Sequence, residues 1–339
     1  MNPKSLRQPS LTRPVGIVSV GLHIPPRVVT NAELIEGLDT TDEWIRARTG
    51  IAERHFADSD SATSDLAVAA ARQALDAAGI AASDLDAVLV ATFSPDQPLP
   101  STALTVKQAL GADHALPFDI AQAACAGGIY ALLVAAHLLQ NPAFSHVMVV
   151  GADCGSRMTD PQDRTTRVFF GDAAGAVVLG GVPEGFGLLA WDTGDDLSHA
   201  VGIPAGGSRR PFSEAVLHDR SHYLQMNGKG AWNAATGRLP HSIREVAARA
   251  AVPLHEVDHF LLHQANINIL ADVMKQLDIP IERVPVNVDR LGNTASASIF
   301  TVLHERMAEV EHGDHLILSA IGAGYIWGSL CFRHYVGGK

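Results

Sequence analysis

Nothing narrows the choice of fold for this chain more than a long-range self-similarity. Residues 83–94, "SDLDAVLVATFS", lie over residues 255–266, "HEVDHFLLHQAN", with apolar positions matching at an offset of 172. From Ala115 onward an offset of 168 works without gaps: "ALPFDIAQAACAGG" lies over "RVPVNVDRLGNTAS", and "SHVMVVGADC" over "GDHLILSAIG". Similarity at a fixed spacing points to an internal duplication. Within each half, short apolar runs alternate with helical patterns, which favours an α/β layered unit. The first half reads as the strand "LDAVLVATF", the helix "STALTVKQALG", the strand "ALPFDI" and the helix "GGIYALLVAAHLLQ". The second reads as the helix "HSIREVAARAAV", the strand "VDHFLLHQA", the helix "INILADVMKQLD", the strand "RVPVNV" and the helix "ASASIFTVLHERMAE". Two such halves would pack about a pseudo-two-fold axis. The expected boundaries are a disordered leader over 1–14, one half over 15–184 and a second over 185–339.

This register carries a functional expectation. It lays Cys125 on Asn293, each where a strand hands over to a central helix, and His263 on Ala91, at the end of an equivalent strand. Ligand sites of α/β sheets lie outside the C-terminal ends of strands. The duplication therefore brings Cys125, His263 and Asn293 toward one place.

Their chemistry fits acyl transfer. A thiol at a helix N-terminus gains from the positive end of the macrodipole, so a lowered pKa is expected for Cys125. The small neighbours Ala124, Ala126, Gly127 and Gly128 leave room beside it, and its own N–H can help to hold an oxyanion. A lone cysteine is ordinarily a small core residue. His263 could equally be a satisfied interior histidine, and Asn293 a helix cap. In a site, the imidazole of His263 and the amide of Asn293 can both donate to a carbonyl oxygen that gains charge.

Composition excludes other classes. With 25 Lys and Arg against 36 Asp and Glu, the net charge is −11, which argues against nucleic acid as the main partner. Three widely spaced cysteines form neither a disulfide framework nor a zinc pattern, so a reducing cytoplasm is expected and no metal. "MNPKSLRQPSLTRP" lacks the apolar segment of a signal peptide, and no apolar run is long enough for a membrane. "GDAAGAVVLGG" lacks the Lys-Ser/Thr of a phosphate loop, and no helix follows "IGAGYIWG" as a dinucleotide fingerprint requires.

Taken together, "AACAG", "HQAN", "GNTASAS" and "GAGYIWGS", with "TTDEWIRARTGIAER" and "FFGDAAGAVVL", resemble the beta-ketoacyl-acyl-carrier-protein synthase III family of the thiolase superfamily, over about Val15 to Tyr335. The resemblance implies a thiolase fold, a duplicated five-layered αβαβα arrangement with pseudo-two-fold symmetry. It also implies a homodimer and an acyltransferase that uses acyl-CoA and an acyl carrier protein without a further cofactor. By motif, Cys125 is the acylated nucleophile. His263 and Asn293 stabilise the enolate formed by decarboxylation of a malonyl thioester. The backbone of Ala323 completes the oxyanion hole with Cys125. Trp44 is implied to stack on adenine, Arg48, Thr49 and Arg164 to stand at the mouth near the nucleotide and its phosphates, and Gly228 and Asn266 to line the pantetheine arm.

Some positions depart from the family pattern. Gly128 and Leu99 stand where phenylalanine is usual, Leu99 at the dimer-contributed position that limits the acyl pocket, which suggests a primer larger than acetyl or differently shaped and places both in the primer pocket. Asn268 replaces an arginine that greets the carrier protein, and Lys229 an asparagine beside the pantetheine arm. These departures are compatible with polyketide or other secondary metabolism as well as with fatty acid synthesis. The alternative within the fold is an acyltransferase that moves the acyl group to an alcohol or amine without decarboxylation. A papain-like cysteine hydrolase leaves the duplication unexplained, and a non-catalytic thioester-binding chain would have no use for the cysteine.

Overall fold

The computed structural model of the protein describes residues 11–121 and 124–337. Two sheets carry the architecture. The first holds the strands Val15–His23, Asp172–Gly181, His146–Cys154, Ala87–Ala91 and Leu116–Ile120, in that spatial order. The second holds His259–Leu262, His315–Gly322, Ile326–Arg333 and Gly187–Asp195. The first sheet thus draws its strands from residues 15–181 and the second from residues 187–333.

The layers follow from the side-chain period of a strand, which sends alternate residues to opposite faces. In the first sheet Leu89, Val147, Val149, Val177 and Leu179 face inward onto the helices Gly127–Leu138 and Ser298–Arg306. Val88, Val90, Met148, Val150 and Val178 face outward onto the helices Thr63–Ala78 and Thr102–Leu110. In the second sheet Leu261, Leu316, Leu318 and Leu330 join the same inner core, while Phe260, Leu262, Ile317 and Cys331 meet the helices Gly228–Arg249 and Ile267–Leu277. Helix, sheet, helix pair, sheet and helix make five layers. Both sheets are covered on both faces, which is why their strands are almost continuously apolar.

The central layer is tight. Phe300 is 1% exposed and rests where three glycines stand. An added Cβ at Gly128, Gly151 or Gly175 would come within 3.0, 2.8 or 2.4 Å of the Phe300 side chain, too close for any of the three to carry one unless something shifts.

The duplication is present, but its spacing changes along the chain. The parallel pair Ala87 and Val147 has its counterpart in His259 and Leu316, so the first strand is displaced by 172 residues and the second by 169. The turns that precede the central helices, Ala124–Ala126 and Ala295–Ala297, are displaced by 171. Each opens on an alanine in the left-handed region, Ala124 at φ 40° and Ala295 at φ 47°. The counterpart of Cys125 is therefore Ser296, and Asn293 lies three residues before it. The gapless offset of 168 fails at this turn.

Two other expectations change. "RVPVNV" does not pair as a strand. Pro285 has no N–H for a ladder, and the side chain of Gln264 takes the place of one. Its Nε2 donates to the Pro285 carbonyl at 3.1 Å, and its Oε1 accepts the N–H of Asn287 at 3.1 Å and of Val288 at 3.4 Å. The helix expected from His241 begins at Gly228 instead and runs through Pro240. Of the leader, residues 1–10 lie outside the described residues. Arg13 is anchored, with Nη1 donating to the Phe144 carbonyl at 2.7 Å.

Candidate active site

Cys125 sits in the turn at the N-terminus of the helix Gly127–Leu138, as expected, and is half-buried. Its thiol is not lowered. Burial pushes it up to about 12, the nearby Asp153 carboxylate pushes the same way, and a hydrogen bond with Asn293 pulls it back. Desolvation of a full negative charge outweighs the fractional charge of a helix terminus here. The resting group is a thiol.

His263 follows the strand His259–Leu262 and continues its line, its N–H donating to the Ser319 carbonyl at 2.9 Å. The side chain is 6% exposed, and Nδ1 has no partner among the described residues. Burial lowers its pKa to about 4, so the ring is neutral at pH 7. Gln264, the next residue, is wholly inaccessible and spent on the bonds described above.

Asn293 belongs to the second half and is held by the first. Its N–H donates to the Phe169 carbonyl at 2.8 Å, and its carbonyl accepts from Gly171 at 3.1 Å. This approach requires glycine before it. Gly292 has φ 66°, and a Cβ there would lie 2.8 Å from the Phe169 oxygen. The Asn293 side chain is oriented by its own turn: Oδ1 accepts the N–H of Ala295 at 2.9 Å. That leaves the amide Nδ2 as a donor toward Cys125.

Cys125, His263, Asn293 and Ala323 line one cavity. Its empty volume, including the open mouth, is about 610 Å³. Ala231, Ala235 and Leu239, spaced four apart on one helix face, supply one apolar wall, and Val201, Met226 and Ile269 line it as well. Next to Cys125 the packing is aromatic and aliphatic, from Phe93, Phe170, Val201, Ile203 and Leu224. At the surface, the Arg164 guanidinium lies over the Trp44 ring, 5.4 Å from its centre. Arg48 and Gly228 are exposed, Gly228 at the first turn of the long helix.

A narrow apolar cavity ending in a thiol, a neutral imidazole and an amide donor is suited to a thioester. The sequence matches the family described as 3-oxoacyl-[acyl-carrier-protein (ACP)] synthase III over residues 118–196, and its C-terminal domain over residues 247–334. The beta-ketoacyl-[acyl-carrier-protein] synthase III of Symbiobacterium thermophilum is 42% identical over 325 residues, 95% of this chain and 98% of that protein. The chain belongs to the 3-oxoacyl-ACP synthase III family. Its fold is that of the Aquifex aeolicus VF5 synthase III, with a TM-score of 0.87 and 35% identity, covering 94% of this chain and all of that one. The priming beta-ketosynthase of the R1128 polyketide pathway superposes with a TM-score of 0.87 at 30% identity, over 95% of this chain and 97% of that one. The chain is accordingly an acyltransferase of the condensing type, and these relatives do not favour transfer to an alcohol or amine without decarboxylation.

Within this synthase III frame, three implied residues do not stand as expected. Thr49 is inaccessible, and its hydroxyl is committed to its own helix, donating to the Ile45 carbonyl at 2.7 Å and accepting from Ile51 at 3.0 Å. Asn266 caps the helix Ile267–Leu277 through Oδ1 and donates through Nδ2 to the Arg48 carbonyl at 2.9 Å. It does not line the cavity, whereas its neighbours Ala265 and Ile269 do. Gly128 does not line it either. The space for its side chain is occupied by Ile299 at 2.8 Å and by Phe300, so a residue there would press on the central helix and not on an acyl group. Leu99 is 84% exposed in a loop. Phe170 and Val201, which line the cavity, were missed by sequence reasoning. They come from an isolated bridge and a two-residue strand, too short for any periodicity to single them out.

Among the described residues no helix is long and apolar enough to cross a membrane, and no group of His, Cys, Asp and Glu is arranged to hold a metal ion.

Proposed function

We propose that the protein takes an acyl primer from coenzyme A onto Cys125 and condenses it with a malonyl unit carried by an acyl carrier protein. The observation that carries this reading is the convergence of Cys125, His263 and Asn293 on one apolar cavity, with the Asn293 amide turned inward. In the first step the Cys125 sulfur bonds to the thioester carbonyl carbon, coenzyme A leaves as its thiolate, and the cysteine proton ends on it. The oxyanion is held by the N–H of Cys125 and of Ala323. Since the resting thiol is protonated, its proton must move as the bond forms. His263 is the one neutral base among the described cavity-lining side chains.

In the second step the bond to the malonyl carboxyl carbon breaks and carbon dioxide leaves. The electron pair becomes an enolate, whose oxygen accepts from His263 and Asn293. The enolate carbon then attacks the acyl carbonyl, the Cys125 sulfur leaves, and a solvent proton restores the thiol. Two neutral donors in an apolar cavity suit an enolate that needs no strong base to form. No cofactor beyond the two thioesters enters this scheme.

Trp44 would stack on the adenine, with Arg164 and exposed Arg48 near the nucleotide and its phosphates and Gly228 beside the pantetheine arm. Beside Cys125 the cavity is lined by Phe170 and Val201, which calls for an apolar acyl chain. The case for a primer larger than acetyl no longer rests on Gly128; it rests on Leu99, which lies outside the cavity of its own chain and would limit the acyl pocket only across a dimer. A homodimer is supported by the edge strand Leu116–Ile120, which exposes Leu116 at 46% and Phe118 at 41%, near exposed Leu104 on the adjoining helix. An apolar strand edge left open invites pairing with another chain. We place the enzyme in the cytoplasm, given its three free cysteines.

The test is turnover with acyl-CoA and malonyl-ACP while carbon dioxide is trapped. One carbon dioxide per 3-oxoacyl product is expected. Acyl transfer to another acceptor without carbon dioxide would overturn the reading. Phe118→Lys should yield monomers in sedimentation; a wild type that itself sediments as a monomer would remove the dimer.

A further inference from the structure

The turn of Cys125 and its counterpart in the second half touch across the junction of the halves. Ser296, the counterpart of Cys125, is completely inaccessible. Its Oγ donates to the Ala124 carbonyl at 2.9 Å, and its N–H donates to Asp153 Oδ2 at 2.9 Å. Asp153 is equally inaccessible. Its Oδ1 accepts from Thr92 Oγ1 at 2.8 Å, from the Phe93 N–H at 2.9 Å, and from the Ser94 hydroxyl and N–H at 2.8 and 3.2 Å. A carboxylate gripped by donors from both halves is a fixed point, and Ser296 is fastened to it.

The acceptor at the other end matters because of what shares its plane. The Ala124 carbonyl and the Cys125 N–H belong to one peptide group. A trans peptide is planar, with C=O and N–H pointing in opposite directions. Holding the carbonyl therefore aims the N–H, and a hydrogen bond to the carbonyl also polarises the group toward a stronger donor. Ala124 needs such a hold, because its φ of 40° lies in a region that is unfavourable for a residue with a Cβ.

We propose that Ser296 is a positioning residue for the oxyanion hole: from the station that mirrors the nucleophile, its hydroxyl fixes the Ala124–Cys125 peptide so that the Cys125 N–H faces the reacting carbonyl. This rests on the proposed oxyanion role of that N–H.

The test compares two reactions of the same thiol in the Ser296→Ala variant. Acylation by acyl-CoA passes through an oxyanion. Alkylation by iodoacetamide displaces iodide at a saturated carbon and forms none. Acylation of Cys125, followed by intact-protein mass spectrometry, should slow about tenfold, less than the roughly 10²–10³-fold expected for outright loss of a donor. Alkylation should change by less than about twofold, since the thiol and its burial are untouched. Unchanged acylation would overturn the proposal. So would equal losses in both reactions, which would mean a general collapse of the turn. Failure of the underlying reading has a different signature. The wild type would then alkylate on Cys125 but form no acyl adduct, and the proposal would fall with it.

Discussion

Replacing Asn293 by aspartate changes almost nothing in shape and one thing in chemistry. The substituted side chain keeps Oδ1, which accepts the Ala295 N–H at 2.9 Å, so the turn before the central helix keeps its cap. What is lost is the inward Nδ2 donor, and what replaces it is an oxygen with a negative charge. The site is 7% exposed, so water cannot substitute for the missing donor. Removing one donor to a developing oxyanion costs about 10²–10³ in rate, and a like charge beside an enolate adds to that. Carbon dioxide release from malonyl thioester should therefore fall by at least about a hundredfold. Acylation depends on the backbone donors and loses only the amide that assists the Cys125 sulfur, so a fall of about tenfold is expected. Single-turnover acylation by mass spectrometry and trapping of labelled carbon dioxide separate the two steps. Equal losses in both, or intact decarboxylation, would refute the assignment of Asn293 to the enolate.

Three further outcomes follow from the same structure. With the Cys125 thiol pushed up to about 12, its alkylation by iodoacetamide should climb steadily from pH 7 past pH 9; a plateau near pH 7 would mean that the helix terminus wins over burial. His263 stays neutral down to about 4 in the fold, against 6.5 when free, so the unfolded chain takes its proton first. The stability this group contributes is complete above pH 6.5 and is lost as pH falls toward 4, and His263→Asn should flatten that part of a denaturant-midpoint profile. Phe300→Ala should cost about 3–5 kcal/mol in denaturant unfolding, because three glycines around it cannot fill the void; a loss under about 1 kcal/mol would show that the layer collapses onto the space.

The two halves were legible in the sequence because burial on both faces of a strand leaves long apolar runs, and those runs repeat. Cys125 and His263 were legible because each sits at a helix start or strand end that the repeat brings together, whereas Asn293 was reached through an offset that fails at its turn, where Ser296 is the counterpart of Cys125, and was singled out by the motif "GNTASAS". The offset between halves was not, because the turns before the central helices and the strands flanking them differ in length by single residues. A glycine packed against a helix and a glycine lining a pocket look the same in a sequence, so Gly128 was read as part of the primer site. Only the position of Ile299 and Phe300 separates the cases. "RVPVNV" has the alternation of a strand, but its pairing is supplied by a side chain 21 residues earlier, Gln264 bonding to Pro285. Local pattern carries no trace of such a bond. The continuation of the helix through Pro240 was hidden for a related reason: the apolar stripe of Ala231, Ala235 and Leu239 precedes a residue that ordinarily ends helices.

The proposed chemistry requires that Cys125 carry the acyl group. Intact-protein mass spectrometry after mixing with a panel of acyl-CoA thioesters should show one acyl group per chain. Peptide mapping should place it on Cys125, and the Cys125→Ala variant should lack it. Addition of malonyl-ACP should discharge the adduct with release of carbon dioxide. An adduct on another residue, or an acylated Cys125→Ala variant, would contradict the account, as would discharge without carbon dioxide.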